Sequence, residues 1–336
     1  MIPPCGGFLF MGNKVKKILI IDFLNLFIRS YVTNPSISKN GDPIGGIVGT
    51  FKSLQKIVRE TNPNIIIVCH DGPNGSLRKK VLNKSYKEGR NPLRLNRNVK
   101  ALDENQEFEN RLWQQFRTFE YLNICPIIQL MEENIEADDL ISYVSQYKKY
   151  NEYVKVIVSS DKDFIQLLND KTLLMRPVQD EVLNKKRIIE EYSIHPNNFA
   201  LARAIAGDKS DNLDGVRGIG LITIAKKFPF LINEERYTVS DILDDCAKNK
   251  DSNKVFENII QQKDKIQLNY EIMQLASPNM SIQAQTKTAY TLDNFIPDFN
   301  KTEFLKMSIL DGFADLNIYE LFAIFNRIIH EHNNPA

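Results

Sequence analysis

Cysteine, tryptophan and histidine are scarce: the 336 residues hold four cysteines, one tryptophan and four histidines. Cys5, Cys69, Cys125 and Cys246 are scattered, with no CxxC pair and no histidine at a spacing suited to zinc. Cys69 and Cys125 lie in apolar, strand-like runs and are expected as small core residues. That usage fits a reducing compartment: the cytoplasm, or the host cytoplasm for a viral chain. No run of about 18 apolar residues is present, so no membrane span is expected. Phe8-Leu9-Phe10-Met11 is too short for the apolar region of a signal peptide. Residues 1–16 read as a disordered lead, and both Met1 and Met11 stand as candidate starts. Net charge is also lacking: 43 Lys and Arg against 42 Asp and Glu leave +1. Total charge therefore says nothing for a nucleic-acid partner, and the argument must rest on where the charges sit.

What is present is the alternation of an α/β protein. Lys17–Ile21 and Asn64–Cys69 are short apolar runs read as buried strands, ending at Asp22 and Asp71. Ile47–Val58 has helical spacing between them. Ile124–Leu130 is a weaker strand, with Pro126 suggesting a sheet edge. Glu136 opens a helix, and Val154–Val158 is a further strand followed by Ser159-Ser160-Asp161. The alternation implies a mostly parallel sheet with helices on both faces. Beyond about residue 180 the pattern is nearly all helical, with Pro196 at a first helical position and amphipathic stretches at 254–275 and 318–329. The expected organisation is an α/β unit over 17–180 and a helical region over 181–336. No Pro/Gly/Ser-rich linker parts them, so a merged domain is equally open.

Three features carry chemistry. Residues 78–100 hold nine bases (Arg78, Lys79, Lys80, Lys84, Lys87, Arg90, Arg94, Arg97, Lys100) against one acid, Glu88. A solvated loop is the plain reading, but so local a positive run points to phosphate contact. Asp22, Asp71, Asp161 and Asp163 follow strand ends, the edge at which open α/β sheets bind ligands. Glu136, Asp138 and Asp139 begin a helix, where capping alone is a sufficient reason for acids. Gathered on one edge, these carboxylates would raise one another's pKa and call for hard divalent cations, Mg²⁺ or Mn²⁺. Third, Gly207–Gly220 (GDKSDNLDGVRGIG) reads as the turn of a helix-hairpin-helix. Gly215, Gly218 and Gly220 allow close backbone approach to phosphate, and Arg217, Lys226 and Lys227 stand nearby.

Taken in order, the motifs resemble the flap endonuclease and 5′-3′ exonuclease superfamily, which includes phage 5′-nucleases and RNase H enzymes and the 5′-nuclease domain of bacterial DNA polymerase I. They are Ile-Ile-Asp22-Phe-Leu-Asn25, Asp71-Gly72 with Leu77-Arg78, Tyr86-Lys87-Glu-Gly-Arg90, Glu136-Ala-Asp138-Asp139, Ser160-Asp161-Lys-Asp163-Phe164, and Gly207-Asp208-Lys-Ser-Asp211-Asn212 running into the hairpin. They cover about residues 17–228; nothing beyond about 230 carries a motif.

The resemblance implies a PIN-like twisted mixed sheet, a helical arch at about 78–115 and a helix-hairpin-helix at about 197–228. It implies two-metal phosphodiester hydrolysis. Asp22, Asp71, Glu136, Asp138, Asp139 and Asp161 would form one metal group, and Asp163, Asp208 and Asp211 the other; Asp208 and Asp211 enter by the resemblance. It also implies a monovalent cation at the hairpin. Lys87 and Arg90 would act at the scissile phosphate. Arg78, Lys79, Lys80 and Lys84 would guide DNA, and Tyr86 would either stack on a base or fill the arch core. Expected partners are DNA with a 5′ flap, nick or single-strand/duplex junction, an RNA–DNA hybrid, and replication proteins such as a single-strand-binding protein. The enzyme is expected as a monomer. A PIN-type processing ribonuclease and a non-catalytic junction-binding protein on the same fold are the alternatives. The first would lack the hairpin and the basic arch, and the second would have lost some of the acids.

Overall fold

The computed structural model describes residues 15–88, 95, 102–249, 254–313 and 316–334. Residues 1–14 of the expected lead, and residues 89–94 and 96–101 of the expected arch (Arg90, Arg94, Arg97 and Lys100 among them), lie outside the described residues.

The first strand, β1 (Lys17–Asp22), is buried along its whole length. Its side chains alternate between two cores, Ile18 and Ile20 entering one and Leu19 and Ile21 the other. Helices α1 (Phe23–Thr33) and α2 (Gly45–Thr61) cross to β2 (Ile65–Cys69). Next come α3 (Leu77–Leu82), α4 (Glu104–Asn123), β3 (Ile128–Leu130) and α5 (Ala137–Ser145). The sheet finishes with β4 (Val154–Val158), β5 (Thr172–Arg176) and β6 (Glu181–Leu183). Its order is β3-β2-β1-β4-β5-β6. Neighbours from β3 to β5 pair in parallel, and β6 runs antiparallel to β5. This is the mixed, mostly parallel sheet that the strand alternation implied. Both faces are covered, which is why β1, β2 and β4 read as continuous apolar runs. β3 is an edge strand, as Pro126 suggested.

The helical region follows: α6 (Lys185–Tyr192), α7 (Pro196–Ala206), α8 (Leu221–Lys227), α9 (Val239–Asn249), α10 (Lys254–Gln261), α11 (Lys263–Met273) and α12 (Ile282–Asn294). The amphipathic stretch at 254–275 is thus two helices, broken at Gln262. A boundary at residue 180 would cut the sheet between β5 and β6. One core runs without interruption from Ile18 and Ile20 through α5 and α7 to Leu292 of α12. The last helices, α13 (Lys301–Leu310) and α14 (Ile318–Asn333), belong to the opposite core. There Phe304 meets Phe51 and Tyr121 edge-on, with ring centroids 5.5 and 5.1 Å apart. Asp311 ties this end to α4, accepting from Arg117 Nε and the Tyr121 hydroxyl at 2.7 Å each. Among the described residues no helix is long and apolar enough to cross a membrane.

Candidate active site and nucleic-acid interface

The C-terminal ends of β1, β2 and β4 share one rim of the sheet, and the chain's acids concentrate there. Asp22 ends β1 and caps α1: its Oδ1 accepts from Asn25 N (3.2 Å) and its Oδ2 from Ser159 Oγ (2.9 Å). Asn25 in turn accepts from Ser160 N (3.0 Å), and Ser159 Oγ from Asp161 N (3.1 Å). The loop after β4 is thereby stitched to the end of β1, which puts Asp161 beside Asp22. Burial pushes the Asp22 carboxyl up to about 7; Asp71 and Asp161 add to the rise against the hydrogen bonds from Asn25 and Ser159.

Asp71 stands just past β2 and accepts from Ala137 N (2.8 Å), so it fixes the first turn of α5 against the rim. Glu136, the residue before that helix, is buried and takes two ammonium groups. Lys79 Nζ pairs with one carboxylate oxygen, and Lys87 Nζ lies 3.0 Å from the other. Burial opposes the charge on all three, but their mutual attraction wins: Glu136 is held below the usual carboxylate range, and Lys79 and Lys87 above the usual ammonium range. Asp138, 4.0 Å from Lys79, is raised well above its ordinary value by burial, with Asp161 and Glu136 adding to the rise. Asp139 faces elsewhere and accepts from Asn279 N (2.7 Å), bracing the connection between α11 and α12.

Asp163 and Asp208 share a partner. Arg203, buried on α7, pairs with Asp208 and lies 3.3 Å from Asp163. Asp163 is pushed up to about 7 by burial and by Asp161, against the pull of Arg203. Asp208 also caps a short turn, its Oδ1 accepting from Ser210 N (2.8 Å) and Ser210 Oγ (2.7 Å). That turn grips the arch base. Lys87 N donates to Asp211 O (3.2 Å), and Asn212 Nδ2 donates to Ser85 O and Glu88 O (3.0 and 2.6 Å). Lys87 is held there with a φ of +58°.

Several expectations change on this geometry. Residues 84–88 form a turn, and it is this turn, not a helix, that carries Lys87. Lys79, expected among the residues that guide DNA, reaches the acids alongside Lys87. Tyr86 is 2 % exposed and packs in the core between these lysines, its centroid 5.7 Å from Lys79 Nζ and 4.9 Å from Lys87 Nζ. Its ring offers no face to a base. Arg78, Lys80 and Lys84 are exposed. His70 is a packing residue. It lies against Phe23 and Phe119 with Nε2 2.9 Å from Gln129 Oε1, and burial lowers it to about 4.

The acids are linked electrostatically, yet among the described residues no three or more His, Cys, Asp or Glu close on a common point at metal-ligating distance. The reason is local: Glu136, Asp163 and Asp208 are turned onto Lys79, Lys87 and Arg203. As a donor set they are all oxygen, and Asp22, Asp138 and Asp163 are raised by burial first, with neighbouring acids adding to the rise. Those are the donors a hard divalent cation takes.

The hairpin lies between a two-residue ladder, Gly207–Asp208 with Leu213–Asp214, and α8. Gly218 has φ +79°, and a side chain there or at Gly220 would meet open space. Gly215 differs: a Cβ would stand 2.0 Å from Ala206 O, so this glycine serves packing at the hairpin base. Arg217 and Lys226 are exposed, whereas Lys227 lies over Phe256, 5.6 Å from the ring centroid. Sequence reasoning missed Ser159 and Arg203. Arg203 had a signal: one charge in the apolar run Leu201-Ala-Arg-Ala-Ile205, four residues before Gly207. Ser159 had none beyond its place next to a strand end.

A rim of acids on a mostly parallel sheet, with a glycine hairpin beside it, defines the class. The family model for the 5′-3′ exonuclease N-terminal resolvase-like domain matches residues 17–193. The 5′-3′ exonuclease of Buchnera aphidicola (subsp. Schizaphis graminum) is 30% identical over 235 residues, covering 66% of this chain and 74% of that protein. The Aquifex aeolicus 5′-3′ exonuclease is 28% identical over 222 residues, covering 64% and 70%. Among solved structures, the T5 5′-exonuclease with bound divalent metal ions (zinc) superposes with a TM-score of 0.64 at 19% identity, over 83% of this chain and 99% of that one. The chain belongs to the 5′-3′ exonuclease family, and it is a nuclease.

Proposed function

We propose that this nuclease hydrolyses phosphodiesters close to a free 5′ end at single-strand/duplex junctions. It acts as flap endonuclease and 5′-3′ exonuclease on DNA, and on RNA–DNA hybrid where an RNA primer is removed during replication or repair. One observation carries the reading: the strand-end acids, the start of α5 and the turn at 208–212 share a single rim with Lys79 and Lys87. Asp22 senses Asp71 and Asp161, Asp138 senses Asp161 and Glu136, and Asp163 senses Asp161 and Asp211.

Asp22, Asp71, Glu136, Asp138 and Asp161 would hold one Mg²⁺ or Mn²⁺, and Asp163, Asp208 and Asp211 a second. When bound, such ions supply an activated water and stabilise charge on the attacking and leaving oxygens. The chain's own residues do the positioning. Asp71 fixes the start of α5, Asn25 and Ser159 aim Asp22, and Asn212 holds the turn that carries Lys87. Lys87 and Lys79 offer ammonium groups to the non-bridging oxygens of the scissile phosphate, where charge grows in the transition state. Gly218 and Gly220 open the hairpin to duplex backbone, a contact that positions without reading sequence. Exposed Arg78, Lys80 and Lys84 supply the electrostatic approach for the 5′ strand.

The test is cleavage of 5′-labelled flap, nicked and RNA-primed duplexes with Mg²⁺, with and without EDTA. Products with a 5′ phosphate released near the junction, and none in EDTA, are expected. Junction binding with no cleavage in Mg²⁺ or Mn²⁺ would overturn the reading, and cleavage of structured single-stranded RNA alone would favour a processing ribonuclease.

A further inference from the structure

The hairpin has a second wall. A cleft of about 620 Å³ is lined on one side by Lys209, Arg217, Gly218 and Gly220, and on the other by Gln262 and Lys265, at the break between α10 and α11. α11 is pinned to the hairpin base by Asn269, which is buried and donates through Nδ2 to Ala204 O and Asp214 O at 3.0 Å each. Lys265 lies four residues before Asn269 and so shares its helix face. The anchor that sets the helix therefore also aims the lysine. Lys265 Nζ donates to a neutral partner, Gln262 Oε1, at 2.7 Å. Among the described residues, none of Lys209, Arg217 and Lys265 forms an ion pair, and Asp214 is the only carboxylate in the cleft lining. Three cations against one carboxylate around a glycine-lined opening favour a polyanion.

We infer that Lys265 is a duplex-phosphate contact. The hairpin holds one phosphate of a duplex strand and the first turn of α11 holds its neighbour, so the seat is two-sided. This rests on the reading of a DNA substrate with a duplex arm, and it gives a function to a part of the chain that carries no recognisable motif.

The experiment is fluorescence anisotropy of the full chain with a nicked duplex and with a short single strand, in EDTA, over a range of salt. Lys265→Ala should weaken duplex binding about three- to tenfold and reduce the salt slope by about 0.9, the value of one lost phosphate contact, without affecting the single strand. Lys265→Arg should keep the wild-type slope. Lys263→Ala, an exposed lysine outside the cleft, should bind like wild type. Wild-type duplex affinity and slope in Lys265→Ala, or an equal loss in Lys263→Ala, would overturn the inference alone. A wild-type chain with no preference for duplex would overturn the hairpin reading beneath it as well.

Discussion

Lys79 and Glu136 form an ion pair nearly closed to solvent, their side chains 14% and 4% exposed. Lys87 adds a second ammonium on the same carboxylate. Removing one partner of a buried pair leaves desolvated charge behind, and a complete loss costs about 3–5 kcal/mol. Lys79→Ala retains Lys87 on Glu136, so a smaller loss is expected, about 2 kcal/mol in urea unfolding. Because Lys79 sits at the acids, its alanine variant should also slow single-turnover cleavage, as Lys87→Ala should. A Lys79→Ala protein that unfolds and cleaves like wild type, and differs only in Kd, would return this lysine to a guiding role.

Arg203 bridges Asp163 and Asp208, two carboxylates that would otherwise repel. Arg203→Met keeps much of the apolar volume and removes the charge. The variant should melt lower than wild type in EDTA, and Mg²⁺ should restore more of its stability than it adds to wild type. Cleavage should fall about tenfold or more, since the geometry of the acids is disturbed. Equal stabilisation of both proteins by Mg²⁺ would show that Arg203 is a structural ion-pair partner with no bearing on the cation sites.

The sheet and the acids were legible because both follow local rules. β1, β2 and β4 are apolar runs ended by Asp22, Asp71 and Ser159-Ser160-Asp161, and their burial on both faces is what continuous apolarity means. Side-chain direction was not legible. Nothing in the spacing of Asp138 and Asp139 tells that one faces Lys79 and the other Asn279 N. Lys79 and Lys84 look alike in a basic run, yet one is largely covered and paired with Glu136 and the other is exposed. The helical stretch at 254–275 concealed its break at Gln262, because Gln262 is no helix breaker and the apolar spacing runs on through it.

The rim should make stability depend on pH. Asp22 and Asp163 are pushed up to about 7, by burial first, from an ordinary 3.8 in the unfolded chain. Between those values the folded state binds more protons than the unfolded one. Stability therefore falls as pH rises toward 7, and the loss is complete above it. His70, lowered to about 4 by burial, acts in the opposite sense, but only below its ordinary 6.5. In EDTA the melting temperature should fall by a few degrees from pH 6.5 to about 8. Asp22→Asn should flatten that fall. A melting temperature that rises over the interval would contradict the buried, mutually repelling acids.

The two hairpin glycines should fail in different ways. At Gly215 a Cβ would meet Ala206 O at 2.0 Å and Gly207 N at 2.5 Å, both backbone atoms that cannot rotate aside. Gly215→Ala must therefore shift the ladder that carries Asp208, and with it the turn that holds Lys87. It should lower stability by about 2 kcal/mol or more and reduce cleavage of every substrate the wild type cuts. At Gly218 there is room for a side chain, and the only obstacle is the φ of +79°. Gly218→Val costs backbone strain of about 1–2 kcal/mol, and the branched side chain covers the N–H face. Affinity for duplex-containing substrates should drop while short single strands bind as before. Denaturant unfolding, with Kd measured on both substrate types, separates the two variants. If Gly218→Val lost single-strand and duplex binding alike, the hairpin would be a structural turn, and duplex recognition would have to be sought elsewhere on the rim.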